Sequence, residues 1–314
     1  MFKKIFNLFK ITRKLSCSGA IDTINEIKKV PKSLNFIFYL FSIGSSKRTE
    51  NLKKSSGEKL CESLEDMGTT FIKLGQFLAT RPDIIGEEIA KKLENLQDKL
   101  PAFRTSEAKE ILRREIGKKV FDSIIHLSEP IAAASIAQVH FAKIKINNTE
   151  KQLAIKILRP NIHKLVNEEL DALMFLAFFI ESFFKKTKRL KLIEVIHLLK
   201  EITNVEMDLR FEAAAASELY ENTKNDSFIK VPKIYWNYTS KQILTLDRVN
   251  AIPIKNLETL KKSKKNQKKL SRNLIQIFLK QAVRDGFFHA DMHQGNLFVD
   301  EEGNIIPIDF GIMG

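Results

Sequence analysis

At 314 residues the chain is long enough for two domains, or for one large domain with extensions. Its 44% apolar content is that of a folded protein, and 29% charged residues exclude a mostly membrane-embedded one. A net charge of +14 calls for a polyanionic partner, whether nucleic acid, an anionic lipid surface or a nucleotide. The two cysteines, Cys17 and Cys61, have no metal-like spacing and suit a reducing compartment. No run reaches the roughly 18–20 apolar residues that span a bilayer, and the N-terminus lacks the small-residue cleavage site of a signal peptide.

Met1 to Leu15 is basic and amphipathic. Phe2, Ile5, Phe6 and Phe9 fall at helical spacing, with Lys3, Lys4, Lys10, Arg13 and Lys14 largely off that stripe. Each basic residue near an anionic leaflet adds about 1 kcal/mol, so reversible binding to an anionic membrane surface is one reading. A helix packed on its own domain is the other. Nucleic acid is not expected here, because the aromatics line one apolar stripe instead of alternating with the basic side chains. Residues 50–125 read as helices with polar connections. Phe71, Leu74 and Leu78 make an apolar stripe, and Lys73 and Gln76 share another face. On periodicity alone this is a surface helix with a solvated lysine.

Ala133-Ala134-Ser135-Ile136-Ala137-Gln138 precedes a β-type segment. A run of small residues there suits a tight turn that lets backbone amides approach phosphate. Alanine is less free than glycine to take positive φ, so this loop is expected to be stiff; a packed turn is the plain alternative. Leu153 to Leu158 alternates as a strand with Lys156 in its middle, where a lysine is ordinarily solvated. Residues 161–222 read as helical. Near the end of the second long helix, Asp208 and Glu212 share a face, while Glu206 lies roughly 200° from Asp208 if the helix is unbroken. These acids are either a plain helix surface or partners of the strand lysine, with Glu212 facing Lys156. Residues 228–250 hold two strand-like runs, and Leu270 to Phe288 is an amphipathic helix leading into a loop.

That loop begins His289-Ala-Asp291-Met-His293-Gln-Gly-Asn296. An apolar run, the turn Glu301-Glu-Gly-Asn304, a second apolar run and Asp309-Phe-Gly311 follow. A hairpin here brings Asn296 beside Asp309, with Asp291 on the loop beneath them. Two hard oxygen ligands next to a carboxylate that accepts a hydroxyl proton are what phosphoryl transfer from Mg-ATP requires. Asp-x-x-x-x-Asn followed by Asp-Phe-Gly is the kinase order, with Asp291 in the catalytic role and Asn296 and Asp309 as magnesium ligands. In that setting Lys156 becomes the candidate grip on the ATP α/β-phosphates. A transition-metal site at His289, Asp291 and His293 is a rival reading, and an ordinary hairpin with solvated acids another.

Lys73-x-Gly-Gln76, the Ala-rich loop, Glu206-x-Asp208 with Glu212, and the His-Ala-Asp…Gly-Asn…Asp-Phe-Gly end together resemble the UbiB family of atypical kinase-like proteins, from about residue 60 onward. The resemblance implies an α+β, protein-kinase-like fold with an N-terminal helical extension that covers the active site and obstructs protein substrates. Carried over, Lys73 and Gln76 become active-site residues with Asp291, and Glu206 and Asp208 are expected to meet the extension. Implied partners are ATP with Mg2+, an anionic membrane surface, and lipid (ubiquinone precursors) or other ubiquinone-pathway proteins. The implied location is the membrane, at the cytoplasmic face of the inner membrane in a bacterium. The segments expected are 1–49 (basic amphipathic), 50–125 (helical extension), 126–250 (small lobe with helical insertion) and 251–314 (start of the large lobe). One departure is that the chain stops three residues past Asp-Phe-Gly, so the C-terminal lobe is expected to be incomplete and apolar surface exposed. A shortened or split product is the expectation. Small-molecule phosphotransferases share the catalytic motif but leave Lys73, Gln76 and the Ala-rich loop unexplained; a non-catalytic nucleotide- or membrane-binding fragment is the third alternative.

Overall fold

Ser55 and Glu58 show why the first long helix starts where it does. The Ser55 hydroxyl accepts the Glu58 N–H at 3.4 Å and the Glu58 carboxylate accepts the Ser55 N–H at 3.1 Å. Two otherwise orphaned donors are thus satisfied together. The computed structural model describes residues 55–94, 96, 100–183, 185–262 and 267–314, with positions 9, 11–13, 16, 36 and 39 nearer the N-terminus.

In chain order the elements are α1 (Ser56–Met67), α2 (Thr69–Ala79), α3 (Glu87–Leu93), α4 (Thr105–Ile116), β1 (Ile124–Ala133), β2 (Ala137–Ile146) and β3 (Thr149–Leu158). Then come α5 (Ile162–Phe183), a 3-10 turn (Lys185–Leu190), α6 (Leu192–Glu206), α7 (Leu209–Thr223), β4 (Ile243–Asp247) and β5 (Ile252–Pro253). The last are α8 (Leu257–Lys262), α9 (Gln267–Leu279), β6 (Leu297–Val299) and β7 (Ile305–Pro307).

These elements sort into two compact units, interleaved along the chain. The first comprises residues 1–101, 134–136 and 161–204. Its core is helix on helix: Leu60 and Leu64 of α1, Phe71 of α2, Leu93 of α3, Leu173 and Ala177 of α5 and Ile196 of α6 bury their apolar faces together. Ile11 joins this core at 5% exposure while Phe9 stays 49% exposed; Phe2, Ile5 and Phe6 lie outside the described residues. The helical stretch 161–204 therefore packs with the N-terminal helices. Gly75, inside α2, is fixed by this packing. A Cβ there would strike Leu96 Cδ1 and come within 2.7 Å of Leu64 Cδ1, and both leucines are buried. Gly75→Ala is expected to lower stability by about 1–3 kcal/mol through overpacking, read as an earlier urea midpoint at unchanged slope.

The second unit holds residues 102–133, 137–160 and 205–314. Its main sheet is antiparallel in the order β1-β2-β3-β4, and a smaller sheet runs β5-β6-β7. The β2–β3 hairpin turns at Asn147 and Asn148, both at positive φ, as a two-residue turn between twisted strands requires. Ala108, Ile111 and Leu112 of α4 cover the sheet through Ala142, Ile144, Leu153, Ile155 and Ile157. α4 thus belongs to the sheet unit, although its sequence continues the N-terminal helices.

Two elements differ from the sequence reading. The helix expected through residues 204–212 breaks after Glu206, and Asp208 caps α7 by accepting the Arg210 N–H at 3.2 Å. The helix expected to reach Phe288 ends at Leu279 and widens into a π turn over Lys280–Asp285, closed by Gly286 at φ 63. Of the two strand-like runs in 228–250, only β4 forms a strand; Ile229 and Ile234 make isolated bridges.

Candidate active site

Strand β3 points Ile155 and Ile157 into the core, which turns Lys156 to the opposite face. There its Nζ meets both carboxylate oxygens of Glu212, in the first turn of α7, at 2.9 and 2.8 Å. Asp309 Oδ2 stands 3.8 Å from the same nitrogen. Burial pushes the Lys156 ammonium down, but Asp309 and Glu212 more than reverse this, and Glu206 adds to them, so the group sits above the usual lysine range. Glu212 is pushed up by burial and by Asp309, against Lys156 and the Phe310 backbone. The two shifts describe one cluster. The short contacts are those of an ionised pair, so Lys156 is charged, and Glu212 carries the strain of two acids sharing one cation. A further cation at Asp309 would relieve it.

The second half of the site is the loop and hairpin. β6 pairs with β7 in the register Leu297↔Pro307, Phe298↔Ile306, Val299↔Ile305. Ile308 N–H donates to the Asn296 carbonyl at 3.0 Å, which holds Asn296 beside the segment carrying Asp309. The Asn296 side-chain nitrogen donates to Asp291 Oδ2 at 3.1 Å. Only the NH2 end can donate to a carboxylate, so the Oδ1 end is left as the hard oxygen donor. Asp309 Oδ1 accepts the Gly311 N–H at 3.0 Å, and its side chain is 46% exposed. The segment after it returns to the loop: Phe288 and Gly314 exchange backbone hydrogen bonds at 3.0 and 2.9 Å, and the Ala290 N–H donates to the Ile312 carbonyl at 3.1 Å.

His289 has a different part from the metal role considered above. It is buried, its backbone N–H donates to Gln281 Oε1 at 3.0 Å, and its ring Nδ1 accepts the Asp291 backbone N–H at 3.2 Å. Burial lowers its pKa against the pull of Asp309 and Asp291, which keeps the ring neutral. His293 Nδ1 is taken by the Gly295 N–H at 3.0 Å. Among the described residues no three His, Cys, Asp or Glu side chains could hold a metal ion together. A two-oxygen site completed by phosphate, as magnesium prefers, fits Asn296 and Asp309 better than a transition-metal site does.

The remaining candidates divide between the units. Lys73 and Gln76 stand half-buried on α2 of the helical unit. Ala134, Ser135 and Ile136 belong to that unit too, where the Thr69 hydroxyl donates to the Ser135 carbonyl at 2.9 Å across a buried contact. Ala133, Ala137 and Gln138 lie in the sheet unit. Asp208 is engaged as a helix cap and by the Arg210 guanidinium at 2.9 and 2.6 Å. Gln138 is engaged structurally as well: its Oε1 accepts the Phe103 N–H at 2.9 Å and its Nε2 donates to the Phe103 carbonyl at 3.2 Å.

Gln138 also leads to a residue that the sequence reading passed over. Gln138 Nε2 lies 2.8 Å from His140 Nε2, and His140 Nδ1 lies 2.7 Å from the Ser128 carbonyl. A carbonyl only accepts, so Nδ1 carries the proton and Nε2 accepts from Gln138; the ring must be neutral. Burial lowers the His140 pKa, opposed by Ser128 and Glu129. The unfolded chain therefore takes up this proton first, and stability present above about pH 6.5 is lost as pH falls below it. Urea midpoints between pH 7.5 and 5 are expected to fall less steeply in His140→Gln than in the wild type.

Comparisons with known proteins give the family and the fold. A family model described as an ABC1 atypical kinase-like domain matches residues 95–314. The chain belongs to the ABC1 family, in its UbiB branch. Proteins named "Probable protein kinase UbiB" are similar to it. That of Marinobacter nauticus is 36% identical over 316 residues, covering 99% of this chain and 56% of that protein. That of Histophilus somni is also 36% identical, covering 99% and 57%. A Pseudomonas aeruginosa relative is 35% identical over 268 residues, covering 84% and 50%. The chain spans about half the length of the curated relatives it matches. A solved complex of Rv3197 with erythromycin from Mycobacterium tuberculosis shares the fold: TM-score 0.53 and 24% identity, over 85% of this chain and 66% of that one. For this ABC1 chain the α+β, kinase-like fold is thereby established.

Proposed function

We propose that this chain is the nucleotide-handling part of a UbiB-type atypical kinase or ATPase that supports ubiquinone biosynthesis. One observation carries the reading: Lys156, Glu212 and Asp309 form a charged cluster in the same unit as the Asp291–Asn296 pair. Bound Mg-ATP would supply the transferable phosphoryl group. Lys156, oriented by Glu212, would hold the α/β-phosphates; Asn296 Oδ1 and Asp309 would hold magnesium; Asp291 would accept the proton of the attacking hydroxyl or water. The acceptor class proposed is lipid, a ubiquinone precursor, or another protein of that pathway. The place of action proposed is an anionic membrane surface, cytoplasmic in a bacterium. Among the described residues no helix is long and apolar enough to cross a membrane. Calorimetry on the 314-residue chain tests the nucleotide part. Wild type is expected to bind ATP only with magnesium, and Asp309→Asn to lose that dependence; ATP binding indifferent to magnesium in a folded wild type would defeat the assignment.

A further inference from the structure

The α5–α6 hairpin of the helical unit ends in a tip unlike the rest of its surface. Between Ser182 and Ile193 the sequence holds Lys185, Lys186, Lys188, Arg189 and Lys191 and not one acid. The acid just before this stretch, Glu181, is turned inward: its Oε1 accepts the Ile193 N–H at 3.2 Å and pins the start of α6 against the end of α5. The acid just after it, Glu194, is paired with Lys191 at 2.9 Å. Next to this cationic turn, the outer face of α5 presents large aromatics to solvent. Phe183 is 70% exposed, Phe178 59% and Phe175 56%. At 1.5 Å per residue these three span about 12 Å along the helix axis. On the α6 side a cavity of about 590 Å³ opens beside the tip; its lining includes Phe77, Val195, Leu198 and Arg189, with Arg81 paired to Asp83 and Lys191 paired to Glu194.

Both features need an explanation from one partner. Solvent satisfies the cations but not three exposed phenylalanines in the last turns of α5, with Phe175 and Phe178 about 60° apart around the axis and Phe183 on the other flank beside the tip. A polyanion such as nucleic acid satisfies the cations and leaves these aromatic rings bare. An anionic bilayer satisfies both, since headgroup phosphates meet the lysines and arginine while aromatic rings enter the boundary about 5–10 Å beneath them. We propose that the α5–α6 tip is a membrane-docking surface for anionic phospholipid, with Phe178 and Phe183 as the inserting side chains and Lys188 and Arg189 as headgroup contacts. This extends the membrane part of the function proposed above to residues far in sequence from the basic N-terminus.

The test is flotation of the full chain with phosphatidylcholine vesicles, alone or with about a third phosphatidylglycerol. Wild type is expected on the anionic vesicles only, and to leave them at high salt. Lys188→Glu with Arg189→Glu is expected to weaken binding about 30-fold, at roughly fivefold per cation, and Phe178→Ser with Phe183→Ser to weaken it about tenfold or more. All four positions are exposed, so circular dichroism should report an unchanged fold. A third variant, Lys3→Gln with Lys4→Gln and Lys10→Gln, separates the two membrane readings. If it retains tip-dependent binding, the tip is a docking surface in its own right. If the tip variants bind like wild type while this one is lost, the tip proposal is overturned and the N-terminal reading stands. If wild type binds no anionic vesicle, both fall. Sedimentation velocity covers the remaining occupant: self-association that the tip variants abolish, without vesicle binding, would assign the face to a second copy and overturn the lipid assignment.

Discussion

Lys156→Met is expected to lower the unfolding free energy by about 3–5 kcal/mol, the cost of stranding a buried charge. Glu212 is 8% exposed on its side chain and has Lys156 at 2.8 Å as its compensating cation. Without it, burial and the charge of Asp309 both act on Glu212 with no cation to oppose them, and Glu212 favours protonation. The loss should therefore shrink as pH falls: the folded variant then binds more protons than the unfolded chain, and stability rises toward acid. A double change, Lys156→Met with Glu212→Leu, removes the stranded charge along with its partner and is expected to recover most of the loss. Urea denaturation of wild type, Lys156→Met, Glu212→Leu alone and the double change gives the coupling directly. A single variant within 1 kcal/mol of wild type would mean that the pair is solvated and does not organise the site.

The second large effect concerns chemistry. Asp291→Asn is expected to lower the turnover of ATP by about 10²- to 10⁴-fold, the range for removing a positioned base, with Mg-ATP affinity nearly unchanged. Asparagine retains an oxygen to accept the Asn296 amide, now at 3.1 Å, so the loop should keep its shape. Wild-type turnover in the variant would leave Asp291 a loop-shaping residue and move proton transfer elsewhere.

The parts of the molecule that could be read from sequence are those whose determinants are local. Glu301 to Asn304 is a turn between two apolar runs, so the β6–β7 hairpin and the approach of Asn296 to Asp309 followed without tertiary knowledge. The Lys156–Glu212 pair is legible only in the company of the other motifs, because a strand lysine is ordinarily solvated and helix acids ordinarily face water. Breaks in helices were harder. Nothing from Asn204 to Leu209 is glycine or proline; the sole local sign is Asp208, a favoured N-cap residue that an unbroken helix would also tolerate. Packing across long separations was invisible. Gln138 is fixed by the backbone of Phe103, 35 residues earlier, and Gly75 by leucines on α1 and in the segment after α3. The same is true of residues 161–204, whose apolar faces reveal that they are buried but not against which helices.

The short ladder joining residues 288–290 to 312–314 has a consequence for motion. Asp291 and Asp309 each lie just beyond one of its strands, at the ends of a closed backbone ring. Fraying of the segment after Asp-Phe-Gly must unpair the segment before Asp291 as well. The two acids therefore lose their placement in one local unfolding event, with one free energy, and not as two independent fluctuations.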